Sequence, residues 1–107
     1  MYVTATGGRS PSVYPNPASD ILNIEIDQEI VDAVKALLQA SGAKYSNNEP
    51  VFDIRMYNIF GNTVRSTTTN GGTVQFDVSV LPDGFYYIHI YDGVSNKPEK
   101  HAVIVKH

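Results

Sequence analysis

Three histidines are the side chains best suited to hold a metal in this sequence, and their spacing works against it. His89 falls inside one alternating stretch, while His101 and His107 stand at the two ends of another. Zinc sites draw on recognisable motifs of closely spaced His, Cys or carboxylate ligands, and no such motif is present. Asp20, Asp83 and Asp92 could offer oxygens to calcium, but none stands in a D-x-D-x-D-G array, and Asp83 and Asp92 each precede a glycine, which is ordinary turn chemistry. Cysteine is absent, which excludes disulfides, thiolate catalysis and thiolate metal ligation together. No G-x-S-x-G elbow occurs, and no acid–base pair is identifiable. The chain therefore reads as a non-enzyme with no metal and no other cofactor.

One further constellation could bind a ligand. Phe85, Tyr87, His89 and Tyr91 alternate with Tyr86, Ile88 and Ile90, so they occupy opposite faces of one strand. The aromatic set could form a carbohydrate platform. Equally, it could be the partly covered face of a central strand whose other face builds the core.

These residues have to be positioned by a single domain, because 107 residues with 42% hydrophobic and 18% charged content describe one ordinary globular unit. Eight Lys and Arg are scattered among eleven Asp and Glu, for a formal charge of -3, so the cationic stripe that phosphate contact requires is missing. Nucleic acid is not an expected partner. No apolar run approaches the length of a membrane span, and residues 1–10 lack the apolar stretch of a secretory signal, so a signal peptide for export would have to lie on sequence outside this chain.

Residues 1–11, with Thr6 to Pro11 reading TGGRSP, have the chemistry of a linker or a cloning remnant. A domain is expected over 12–107. Pro15 and Pro17 each remove a backbone donor, which confines Ser12 to Asp20 to an edge strand or extended segment. Leu22, Ile24 and Ile26 then alternate with Asn23 and Glu25. From Asp27 the period changes: Ile30, Val31, Val34, Leu37 and Leu38 form one stripe of an amphipathic helix, with Asp27 as its N-cap and Gly42 as its terminator. After Pro50 the period of two returns in Phe52, Ile54 and Met56. Turns follow at Asn58 to Asn62, Asn70-Gly71-Gly72 and Leu81 to Gly84, and the strands Thr63 to Thr67, Thr73 to Val78, Phe85 to Tyr91 and Lys100 to Val105 complete the pattern. The expectation is all-β: an immunoglobulin-like antiparallel sandwich of about seven strands with one helical insertion over 27–49.

Four segments carry a resemblance to a known family: VYPNPASDILNIEI at Val13 to Ile26, FDIRMYNIFGNTV at Phe52 to Val64, VQFDVSVLPDGFYYIHI at Val74 to Ile90, and the closing AVIVKH. In this order they resemble the C-terminal sorting domain, type A, of the Bacteroidota type IX (Por) secretion system. The most specific piece is Tyr14-Pro15-Asn16-Pro17-Ala18 followed by Asp20, reinforced by Leu81, Gly84 and Tyr86 at the family's L-x-x-G-x-Y spacing and by Gly61 as its strand-turn glycine. The helical stretch Asp27 to Glu49 departs from the short hairpin expected there.

The resemblance implies a folded address label for an exported protein. Its partners would be the outer-membrane secretion machinery with its sortase-like peptidase, and a covalently linked upstream cargo domain. The cargo would pass through the periplasm and end at the cell surface or be secreted. On this reading Tyr14, Pro15, Asn16, Pro17 and Lys106 are the expected docking residues, and Gly7, Gly8, Arg9 and Ser10 the expected cleavage linker. The alternative is a non-catalytic extracellular accessory module, an adhesin or carbohydrate-binding sandwich.

Overall fold

The computed structural model describes residues 10–40 and 49–107. The alternating segments form seven strands: β1 (Ser12–Tyr14), β2 (Ile21–Ile26), β3 (Phe52–Tyr57), β4 (Thr63–Thr69), β5 (Gly72–Asp77), β6 (Gly84–Tyr91) and β7 (Glu99–Val105). The segment of helical period forms α1 (Gln28–Ala40) between β2 and β3. Strands β1-β2-β5 make one sheet and β4-β3-β6-β7 the other, with every neighbouring pair antiparallel. This is the immunoglobulin-like sandwich expected from the pattern.

Period-two alternation fixes which side chains meet between the sheets. Leu22, Ile24 and Ile26 of β2 face Phe52, Ile54 and Met56 of β3 and Tyr86, Ile88 and Ile90 of β6, all buried. Val74 is only half-buried against this cluster, because β5 is the edge of its sheet and has no neighbour on one side. Phe76, Val78, Leu81, Val103 and Val105 extend the core, as does Ala18, which lies outside any named strand.

The helix starts where its cap predicts. The Asp27 carboxylate accepts the Ile30 N–H at 3.1 Å, satisfying one of the orphan donors of the first turn. Ile30, Val31 and Val34 are buried and Leu38 packs partly against the core, whereas Leu37 is 49% exposed. The stripe is thus narrower than expected. At about 100° per residue, Val31, Val34 and Leu38 fall to one side of Ile30 and Leu37 to the other, which leaves Leu37 on the rim. The expected terminator Gly42 and the linker residues Gly7, Gly8 and Arg9 lie outside the described residues.

Where the helix sits decides what it can affect. It follows the last residue of β2, Ile26, which pairs with Gly72 at the start of β5. Its Val31 approaches the β4–β5 corner so closely that a Cβ on Gly71 would stand 2.6 Å from Val31 Cγ2. The helix therefore seals one end of the sandwich, a strand length of about 20 Å from the residues that precede Ile21.

The β3–β4 turn is held from within at the other end. Asn58 Oδ1 accepts the N–H groups of Phe60 at 2.9 Å and Asn62 at 3.0 Å, and Gly61 takes φ +83°. This comparison tests the helix contact. Gly61→Ala meets open space and carries only the cost of a left-handed backbone, about 1–2 kcal/mol. Gly71→Ala adds a collision with Val31, so its urea midpoint should fall further than that of Gly61→Ala; equal midpoints would mean that the helix does not press on this corner.

Candidate docking site

The segment Tyr14-Pro15-Asn16-Pro17-Ala18 changes sheets. Tyr14 still pairs with Asn23 in the three-stranded sheet, whereas Ala18 forms a parallel bridge with Val105 of β7 in the four-stranded one. Between them, two prolines remove the N–H groups that would carry a ladder across. The carboxamide of Asn16 takes the place of a peptide group: its Nδ2 donates to the Ala102 carbonyl at 3.2 Å and its Oδ1 accepts the Ile104 N–H at 2.9 Å. The backbone then resumes, with Ala18 N–H donating to Ile104 O at 2.8 Å and Lys106 N–H donating to Ala18 O at 2.9 Å. Four hydrogen bonds thus cover the outer edge of the last strand, which would otherwise present unpaired backbone groups.

Ala18 is fully buried beneath this seam, so a small side chain is needed where the chain crosses between the layers. The same segment reaches the opposite sheet, since Val78 N–H donates to Asp20 O at 2.8 Å.

The corner before β6 closes on the same end. The Tyr86 hydroxyl donates to the Pro82 carbonyl at 2.7 Å, a bond from the start of a strand back to its preceding loop that recurs in immunoglobulin-type sandwiches. Burial, with the Asp83 carboxylate nearby, raises the Tyr86 phenol above its ordinary range, so it remains a donor at neutral pH. The chain terminus is tied to this corner as well. His107 N–H donates to Asp83 Oδ1 at 3.1 Å, and His107 Nε2 lies 2.8 Å from the Leu81 carbonyl, which can only accept; Nε2 therefore carries the proton.

Of the five expected docking residues, Asn16 and Lys106 are brought together through Ala18, with the exposed Pro15 and Pro17 flanking Asn16. Tyr14 points elsewhere, its hydroxyl 3.1 Å from Glu25 Oε1 on the outer face of the three-stranded sheet. Ser10, the described part of the expected linker, is exposed. Sequence reasoning missed Asp83 and His107 as members of this end, because their contacts join residues 24 and 26 positions apart without any local pattern. The three histidines do not converge: among the described residues no group of three His, Cys, Asp or Glu could hold a metal ion.

The outer face of the four-stranded sheet carries the aromatic row. The Tyr57 and His89 rings meet at a tilt of 58° with centroids 4.8 Å apart, and the Arg55 guanidinium lies 5.8 Å from the Tyr91 ring centre. Burial, followed by the charge of Lys100, lowers the His89 pKa, so this ring is neutral at pH 7. Phe85 and Tyr87 remain 58% and 42% exposed.

With this geometry in view, family comparison matches residues 12–106 to the secretion system C-terminal sorting domain. The match spans β1 to the end of β7, and the chain belongs to that family. That family is one of sorting domains and is not an enzyme family. Among solved structures, the chain resembles part of PorZ of Porphyromonas gingivalis, described as an essential bacterial surface component of the type-IX secretion system. The two share a TM-score of 0.62 at 18% identity, over 97% of this chain and 12% of that one, a likeness of fold. Comparison with curated proteins finds no match.

Two substitutions test how the site is held. Asn16→Ala removes two exposed hydrogen bonds and Tyr86→Phe one half-buried bond, and each should cost about 1 kcal/mol in urea unfolding. A cost for either at or below the error of the measurement would remove that residue from the set that shapes this end.

Proposed function

We propose that this domain is the C-terminal sorting signal of an exported protein, directing its cargo across the outer membrane through the type IX secretion system. The observation that carries the reading is the family match over residues 12–106. Its support from geometry is that the YPNPA segment, the LPDGFY corner and the closing strand, three separate sequence motifs, meet at one end of the sandwich.

A sorting signal must be read while folded, so its recognised features have to be rigid and reachable at once. Pro15, Asn16, Pro17 and Lys106 meet both conditions: their side chains are exposed, while Ala18 beneath them is locked by backbone hydrogen bonds to β7. Docking then engages this end, and Tyr14, on the adjoining sheet, extends the surface. The inserted helix lies at the opposite end and leaves docking clear. Removal of the domain by a sortase-like peptidase would fall in the linker at Gly7, Gly8, Arg9 and Ser10, before the first strand, after which the cargo is anchored at the cell surface.

The full 107-residue chain, fused behind a signal peptide and a fluorescent reporter, should carry the reporter to the surface of a host with a working type IX system. A reporter that stays in the periplasm, with the domain folded and the host still exporting its own cargo, would remove the sorting assignment.

A further inference from the structure

The two outer faces of the sandwich differ in chemistry. On the three-stranded sheet, cross-strand neighbours are polar and bonded to one another: Gln75 Nε2 donates to Asn23 Oδ1 at 2.9 Å, Asn23 Nδ2 to Tyr14 O at 3.3 Å, and Tyr14 OH to Glu25. That face is satisfied and carries acid.

The outward positions of β6 and β7 read differently. Phe85, Tyr87, His89 and Tyr91 stand beside Ile104, Ala102 and Lys100, in the register Phe85–Ile104, Tyr87–Ala102 and His89–Lys100, with Lys106 following on the same side. Phe85, Tyr87 and Ile104 are 58%, 42% and 36% exposed. None of these eight positions is acidic, although the whole chain carries -3. Among the described residues, neither Lys100 nor Lys106 forms an ion pair. Asp83, at the same end as Lys106, accepts the His107 N–H. An apolar, aromatic centre with a charged rim is the make-up of a protein-binding patch, in which aromatics supply area and the rim steers the partner. This strip is also continuous with the clamped edge of β7, since Asn16 bonds to Ala102 and Ile104 themselves.

Resting on the sorting assignment, we propose that the outer face of β6 and β7 docks onto an acidic protein surface of the secretion machinery, with Phe85, Tyr87 and Ile104 as apolar anchors and Lys100 and Lys106 as flanking charges. The lysines meet carboxylates of the partner, the anchors fill its apolar centre, and the clamp keeps β7 flat enough to present both.

The reporter fusion of the full chain tests this through surface side chains. The pair Lys100→Glu with Lys106→Glu, and separately the pair Phe85→Thr with Tyr87→Thr, should each cut reporter export about tenfold, equivalent to about 1.4 kcal/mol of docking. Circular dichroism and the urea midpoint check that each variant is folded, and Lys100→Gln with Lys106→Gln replaces the reversal if it is not. Lys100→Arg with Lys106→Arg keeps both charges and should lose less export than Lys100→Glu with Lys106→Glu. Folded charge and aromatic variants that both export as well as the parent overturn the proposal. A parent that is itself not exported instead removes the sorting assignment on which it rests. Purified chain should not bind vesicles of phosphatidylethanolamine and phosphatidylglycerol, nor purified lipopolysaccharide; binding to either that the charge reversal abolishes would give the face to an anionic lipid or glycan and overturn the protein partner.

Discussion

The carboxamide of Asn16 supplies, in one planar group, a donor and an acceptor beside the two backbone N–H donors that Pro15 and Pro17 remove on either side of it. Without that group the chain could not leave one sheet and join the other while keeping the outer edge of β7 occupied, because no backbone N–H is available between Tyr14 and Ala18 except that of Asn16 itself. The burial of Ala18, the bond from Lys106 to Ala18 and the link from Val78 to Asp20 all depend on the segment arriving in register. The prolines and the asparagine are thus one device. The prolines prevent the segment from remaining in the first sheet, and the asparagine directs it onto the second.

This device explains why the domain has two ends of different character. At one end the crossing segment, the Tyr86 corner and the chain terminus are joined by bonds between residues far apart in sequence. At the other, the helix packs on Gly71 through apolar contact of Val31, and Asp27 caps its start. Contacts of the second kind can be lengthened or replaced at modest cost, since loop length adds little closure entropy. An insertion at that end leaves the constrained end untouched, which is how one chain can carry both a helix and an intact set of motifs.

Much of the fold was legible in the sequence because its determinants are local. Alternation in Leu22, Ile24 and Ile26, in Phe52, Ile54 and Met56, and in Tyr86, Ile88 and Ile90 names the core without reference to any partner, and Asp27 marks the helix start by its own chemistry. Leu37 was misplaced because a stripe shows which residues share a side, not where the packed surface ends. At the candidate site, Asn16 and Lys106 were legible only through resemblance, since the contacts of Asn16 span 86 and 88 residues. Asp83 and His107 gave no signal at all: an aspartate before glycine reads as a turn, and a terminal histidine reads as free.

The clamp on β7 holds this end of the domain, and hydrogen exchange of the Asn16→Ala variant measures it directly. Backbone groups of alternate residues in a strand point to opposite sides, so Ile104 and Lys106 face the crossing segment while Val103 and Val105 face β6. In the variant the amides of Ile104 and Lys106 should lose protection while those of Val103 and Val105 keep theirs. Unchanged protection at Ile104 and Lys106 would contradict the account, because the segment would then be held on β7 without the asparagine.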